Sequence, residues 1–186
     1  QRYLSSDAFF WNVTFHEVAH GLGVKETVNG LGSVDAALGN ESSVWEEAKA
    51  DILGLYMVCN LIDKGEIPLI SKEAAITTYI ASLVRSVRFG AAGAHGRANM
   101  MCYNFLKDNG AFERNKDGLY HINYDKVPEV VAAWAELIIT TQATGNYMFA
   151  KEYDTNHAVV PEALSADIAN VNRGGVPVDI RFEFVW

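Results

Sequence analysis

The stretch Ser5-Ser6-Asp7-Ala8-Phe9-Phe10-Trp11-Asn12-Val13-Thr14-Phe15-His16-Glu17-Val18-Ala19-His20 reads as one helix. Ser5, Ser6 and Asp7 are good N-cap or first-turn residues, and Gly21 and Gly23 close the far end. His16-Glu17-Val18-Ala19-His20 is a HEXXH motif. Positions four apart on a helix differ by about 40° around the axis, so both imidazoles face one side. Glu17 is offset from that face yet close enough to poise a water. Two fixed nitrogen ligands, one adjacent carboxylate and an open position are what metal-assisted hydrolysis requires. The motif fixes only three positions, and a helix can carry it without a metal. Packing gives no reason for the pair, however, because neutral imidazoles are modest core residues that need partners.

A third ligand is expected from a second helix. Ser43-Val44-Trp45-Glu46 has the capping-box form, in which Glu46 reaches back to the cap backbone. Glu47 is then free to turn inward. Asp51 lies four residues later on the same face, where it can accept from the second nitrogen of a ligand histidine and fix its tautomer. The bland alternative is an exposed acidic first turn favoured by the helix dipole. Lys49 is expected to pair with Glu46 or Asp51 on the surface, an interaction worth about 0–1 kcal/mol.

The remaining pattern is mainly helical. Gly21 to Ser42, with five glycines and two asparagines, reads as a long irregular loop that serves as a lid or a connector. The second helix runs to about Leu61 and is apolar on most sides, which predicts burial. Further helices are expected over Ser71 to about Arg88, from the Gly90–Gly93 kink to about Asp108, and over Pro128 to Thr141. Asn146 to Tyr153 and Pro161 to Asn170 read as two more. Leu119 to Tyr124 suggests a short strand or turn, and the alternating tail Val176 to Val185 a terminal strand. Trp11, Trp45 and Trp134 are core candidates; His121 and His157 read as surface residues, and Tyr147 as a packed tyrosine.

The 186 residues suffice for one domain with a real core, at 49% hydrophobic and 20% charged. A net charge of -8 without a Lys/Arg cluster argues against nucleic acid and anionic membranes as partners. No segment approaches the roughly 20 apolar residues of a membrane span. Cys59 and Cys102 lack redox or metal spacing and read as buried free thiols. Asn12-Val13-Thr14 and Asn40-Glu41-Ser42 match the glycosylation sequon but read as chance matches in a cytoplasmic protein. The chain opens on Gln1 and enters helical sequence at once, which suggests a fragment of a larger protein.

At this point His16-Glu17-Val18-Ala19-His20-Gly21, with Glu46-Glu47-Ala48-Lys49-Ala50-Asp51 downstream, resembles the paired motifs of the dipeptidyl peptidase III family of zinc metallopeptidases. That family joins a zinc-binding helix to a Glu-Glu-x-(Arg or Lys)-Ala-(Glu or Asp) motif. The resemblance makes Glu47 the third ligand beside His16 and His20, and sets Glu46 and Asp51 behind them. One departure is plain: the family usually has one more residue between its histidines, and the shorter spacing here keeps the helix uninterrupted. The likeness is nearest to the branch linked to Nudix hydrolases. Ala94-His95-Gly96-Arg97-Ala98 resembles the family's Ala-His-x-x-Ala helix, which implies that His95 hydrogen-bonds the substrate carbonyl or transition state. By itself, a lone histidine at an Ala/Gly-rich helix start reads as structural. Val127 to Trp134, Gln142 to Tyr147 and Val176 to Phe182 extend the likeness over most of the chain. It further implies that this is the C-terminal, zinc-bearing helical lobe of a two-lobed enzyme, working with a missing N-terminal lobe on short peptides.

The expected chemistry is zinc-dependent peptide hydrolysis, with Glu17 as general base for the attacking water. A zinc hydrolase of a non-peptide substrate in a Nudix-linked protein stays open, since HEXXH does not dictate the substrate. A non-catalytic module that binds a peptide or partner also stays open. Against it, a structural zinc site is usually closed by a fourth protein ligand and needs no base.

Overall fold

A computed structural model describes residues 2–88 and 90–175 of the chain. The protein is mainly α. Its elements run α1 (Ser6–His20), α2 (Val34–Leu38), a 3₁₀ turn (Gly39–Glu41), α3 (Ser42–Asp63), α4 (Lys72–Val87) and α5 (Ala94–Asp108). Then come the strands β1 (Phe112–Arg114) and β2 (Tyr120–Ile122), followed by α6 (Val127–Thr144), α7 (Tyr147–His157) and α8 (Glu162–Arg173). The strands form an antiparallel hairpin in which Glu113 pairs with His121. The expected strand over Val176 to Val185 lies outside the described residues.

The helix ends follow local chemistry. Ser5 is extended and its hydroxyl accepts from the Ala8 amide at 3.2 Å, which starts α1. Ser71 does the same for α4 through Ala74, and Asn146 for α7 through Phe149. Gly145 ends α6 in the left-handed conformation (φ 57°), as a C-terminal glycine should.

The central helix is α3, which buries Trp45, Ala48, Ile52, Leu55 and Val58. Trp45, Trp134, Met100, Met101 and Phe112 anchor the main core among α3, α5, α6 and the hairpin. A smaller core, built on Ala8, Val58, Ile67 and Ala75, seats α1 against α3 and α4. Gly54 lets α1 and α3 approach closely: a Cβ there would sit 2.8 Å from the His16 amide nitrogen and 3.1 Å from its Cα. The backbone that carries the first histidine thus rests on a bare glycine.

Three expectations change. The loop from Gly21 to Ser42 contains α2, the 3₁₀ turn and a Glu26–Ser33 bridge, and Val28 hydrogen-bonds Ala143 of α6 at 2.8 Å. The capping box at Ser43 does not form. The chain enters α3 from the 3₁₀ turn with Glu41 already helical (φ −87°, ψ −15°), so there is no extended cap residue for Glu46 to reach. Lys49 is buried, at 1% exposure, and is no surface pair. Both cysteines are free, Cys102 fully buried. Asn12 is buried inside α1 and donates to the Ala75 carbonyl at 3.0 Å, so its sequon is inaccessible in the fold.

Candidate metal centre

α1 and α3 bring the expected residues to one point. His16 and His20, one turn apart on α1, approach to 3.1 Å between their Nε2 atoms. Glu47 Oε2 on α3 stands 3.4 Å from His16 Nε2 and 3.8 Å from His20 Nε2. The ligand atoms of His16, His20 and Glu47 all lie within 4.8 Å of one another. Four zinc ligands at about 2.0–2.2 Å in a tetrahedron are separated by edges of about 3.3–3.6 Å. The observed separations bracket that range.

The outer nitrogens are held by carboxylates. His16 Nδ1 lies 2.7 Å from Asp51 Oδ1, and His20 Nδ1 lies 3.0 Å from Glu46 Oε1. An Nδ1–H that donates to a carboxylate leaves the Nε2 lone pair free to ligate. Two such lone pairs would converge with the Glu47 carboxylate on one point, which a proton or a cation must occupy. Glu47 Oε2 is buried, and its near neighbours are imidazole nitrogens: His95 Nε2 at 3.0 Å, His16 Nε2 at 3.4 Å and His20 Nε2 at 3.8 Å. A buried carboxylate with no positive charge beside it is costly. His16 Nε2, His20 Nε2 and Glu47 Oε2 together make a set that could hold a divalent cation.

The electrostatics agree. Burial pulls the His16 imidazole down, but the carboxylates of Asp51 and Glu47 outweigh it and push its pKa up to about 10. Burial raises the Glu47 carboxyl, while His16, His95 and His20 together hold it below its ordinary value. Glu46 is likewise lowered, with Lys49 and His20 overcoming its burial. The pocket calls for positive charge, which a proton or a metal can supply.

No protein-family model matches the chain. It is 32% identical over 182 residues to Nudix hydrolase 3 of Arabidopsis thaliana, covering 96% of this chain and 23% of that protein. The structure superposes on dipeptidyl-peptidase III from Corallococcus sp. strain EGB with a TM-score of 0.91, at 36% identity over 97% of this chain. DPP III from Caldithrix abyssi gives 0.90, at 33% identity over 96%. The chain is a dipeptidyl-peptidase III-like lobe. It spans 34% of each of those two structures and about a quarter of the plant relative.

The rest of the dipeptidyl-peptidase III-like lobe is arranged around this centre. His95, at the start of α5, places Nε2 3.0 Å from Glu47 Oε2 and packs its ring parallel to that of His16, with 6.3 Å between centroids. Its side chain is 70% exposed and so borders open space. Glu17 is exposed on α1, and with His16, Asp51 and His95 it lines a cavity of about 300 Å³ that reaches Phe9, Val13 and Asn99. His121 is exposed on β2, His157 stacks on Tyr153, and Tyr147 starts α7; none joins the centre.

Two residues escaped the sequence reading. Gly54 sets the α1–α3 approach, and its only signal is a glycine inside an apolar helical run. Arg97 holds α5 in place: Nη2 donates to Glu41 at 2.9 Å, and both Nε and Nη2 donate to Asp154 of α7. Those partners lie 56 and 57 residues away, so no local pattern announces them.

Proposed function

We propose that this lobe holds one Zn²⁺ on His16, His20 and Glu47 and serves a peptidase that cleaves near the N-terminus of short peptides. The observation that carries the reading is the convergence of His16 Nε2, His20 Nε2 and the buried Oε2 of Glu47 on one point, with their ligand atoms within 4.8 Å of one another. A bound zinc ion supplies Lewis acidity toward a carbonyl and toward water. The protein's own groups do the rest. Asp51 and Glu46 hold the ligand imidazoles in the tautomer that presents Nε2. Glu17, exposed and unburdened by a ligand role, accepts the proton of the water that adds to the scissile carbonyl. It returns that proton to the nitrogen of the breaking C–N bond. His95 donates from Nε2 to the oxygen on which negative charge develops. The ring is exposed, so it can turn Nε2 from Glu47, 3.0 Å away, to a substrate carbonyl.

The two dipeptidyl-peptidase III neighbours support the peptide substrate, and the length of both supports a partner lobe that completes the cleft. Two free thiols and the buried sequon asparagine support a cytoplasmic protein. Among the described residues no helix is long and apolar enough to cross a membrane. The test is Glu17→Gln in the full-length protein. Retained zinc with release of N-terminal dipeptides lost by more than 100-fold is expected; unchanged turnover would remove Glu17 as the base.

A further inference from the structure

We propose that Lys49 is a positioning residue for the metal site, acting on His20 through Glu46; the inference rests on the zinc reading above. Its side chain is 1% exposed, yet its ammonium is surrounded by oxygens. Nζ lies 2.8 and 3.0 Å from the two carboxylate oxygens of Glu46, 2.8 Å from the Leu22 carbonyl and 3.5 Å from the His20 carbonyl. Glu46 Oε1, the same atom that Lys49 holds, meets His20 Nδ1 at 3.0 Å. Lys49 therefore reaches the ring of the ligand by way of Glu46, while the His20 carbonyl is held more closely by Lys25 Nζ, at 2.9 Å.

The geometry argues against simple packing. Burying an ammonium is costly, and an aliphatic side chain would fill the same volume without that cost. Glu46 is one-third exposed, and without Lys49 the His20 imidazole alone is left to hold it against turning to water. His20 would then lose the partner that selects its Nδ1–H tautomer. The fold also makes room for the lysine stem at Gly23 (φ 83°), where a Cβ would stand 3.0 Å from Lys49 Cδ. A side chain at Gly23 would push the stem out of line.

Coulomb's law alone predicts the opposite of a positioning role, which makes the sign decisive. A fixed cation near a zinc site repels the metal, so removing it should tighten binding. Loss of an outer partner of a ligand histidine weakens binding, typically by about 10–100-fold. The experiment compares zinc dissociation constants of the full-length protein, by chelator competition, for wild type, Lys49→Met, Lys49→Arg, Glu46→Gln and His16→Ala. Melting curves of the metal-free forms confirm that each variant is folded. Lys49→Met is expected to weaken zinc binding by about 10–100-fold. Lys49→Arg, which keeps charge and donors, should recover most of the loss, and Glu46→Gln should weaken binding in the same direction. Wild-type or tighter affinity in Lys49→Met overturns the proposal. Should that variant not fold, unchanged affinity in Glu46→Gln overturns it instead. Absence of zinc from wild type, or its full retention in His16→Ala, overturns the zinc reading itself and the Lys49 inference with it.

Discussion

Replacing Gly54 by alanine sets two effects of similar size against each other. In a helix interior alanine is favoured over glycine by about 1 kcal/mol. Here the added Cβ would stand 2.8 Å from the His16 amide nitrogen, 3.1 Å from His16 Cα and 3.1 Å from the Phe15 carbonyl carbon. Carbon contacts relax near 3.5–4.0 Å, so α1 must retreat by roughly 0.5 Å or more. The obstructing atoms are helix backbone and cannot rotate away, unlike a side-chain tip. Overpacking of this kind costs about 1–3 kcal/mol. The balance is a net loss of about 1 kcal/mol, or about 2–4 °C in Tm for a domain of this size. The effect on the metal should be larger than the effect on the fold. His16 rides on the displaced backbone, whereas Glu47 belongs to α3, and ligand distances tolerate only about 0.2 Å. Zinc affinity should fall at least tenfold. Thermal melts of the metal-free protein and a competitive zinc titration measure the two quantities. A Gly54→Ala protein that melts higher and binds zinc like wild type would refute the reasoning, because the helix approach would then not be limiting.

Other perturbations have equally definite outcomes. Arg97→Met strands the nearly buried carboxylates of Glu41 and Asp154, so urea unfolding should show a loss of about 2–4 kcal/mol; a change within about 0.5 kcal/mol would deny the clamp its role. Asp167 is held below the usual carboxylate range by the Arg114 guanidinium, against a smaller upward pull from burial, with Tyr120 adding a 2.8 Å hydrogen bond. Its folded pKa is depressed, so its contribution is present above the unfolded value of about 3.9 and lost as pH falls through the folded one. Wild type should thus be more stable than Asp167→Asn at pH 7, with the gap closing only below about pH 4; a gap that closes near neutrality would contradict this. With His16 raised to about 10 in the metal-free site, it carries a proton at neutral pH that zinc must displace. Calorimetry in buffers of different ionisation heat should report close to one proton released per zinc bound, and a value near zero would contradict it.

What could be read from the sequence was what local spacing controls. His16 and His20 share a face because a helix turns every 3.6 residues, and Asp51 follows Glu47 by the same rule. A capping box at Ser43 would turn Glu47 inward, and that box does not form; Glu47 faces the histidines all the same, with Glu46 engaged instead by Lys49 and His20. Lys49 was misjudged because burial of a cation depends on oxygens from Glu46, Leu22 and His20 converging, and two of these belong to the far side of a glycine-rich turn. β1 was missed because three residues carry no periodicity, and α2 for the same reason. Arg97 and Gly54 matter through partners far away in the chain. Composition and pattern are silent about such contacts.

The most direct test of the metal centre is zinc per chain, by elemental analysis of the full-length protein after dialysis, beside Glu47→Ala. One zinc in wild type and none in the variant is the predicted result, since Glu47 Oε2 is the buried oxygen that the ion would satisfy. No zinc in wild type even after resupply, or undiminished zinc in Glu47→Ala, would contradict the account.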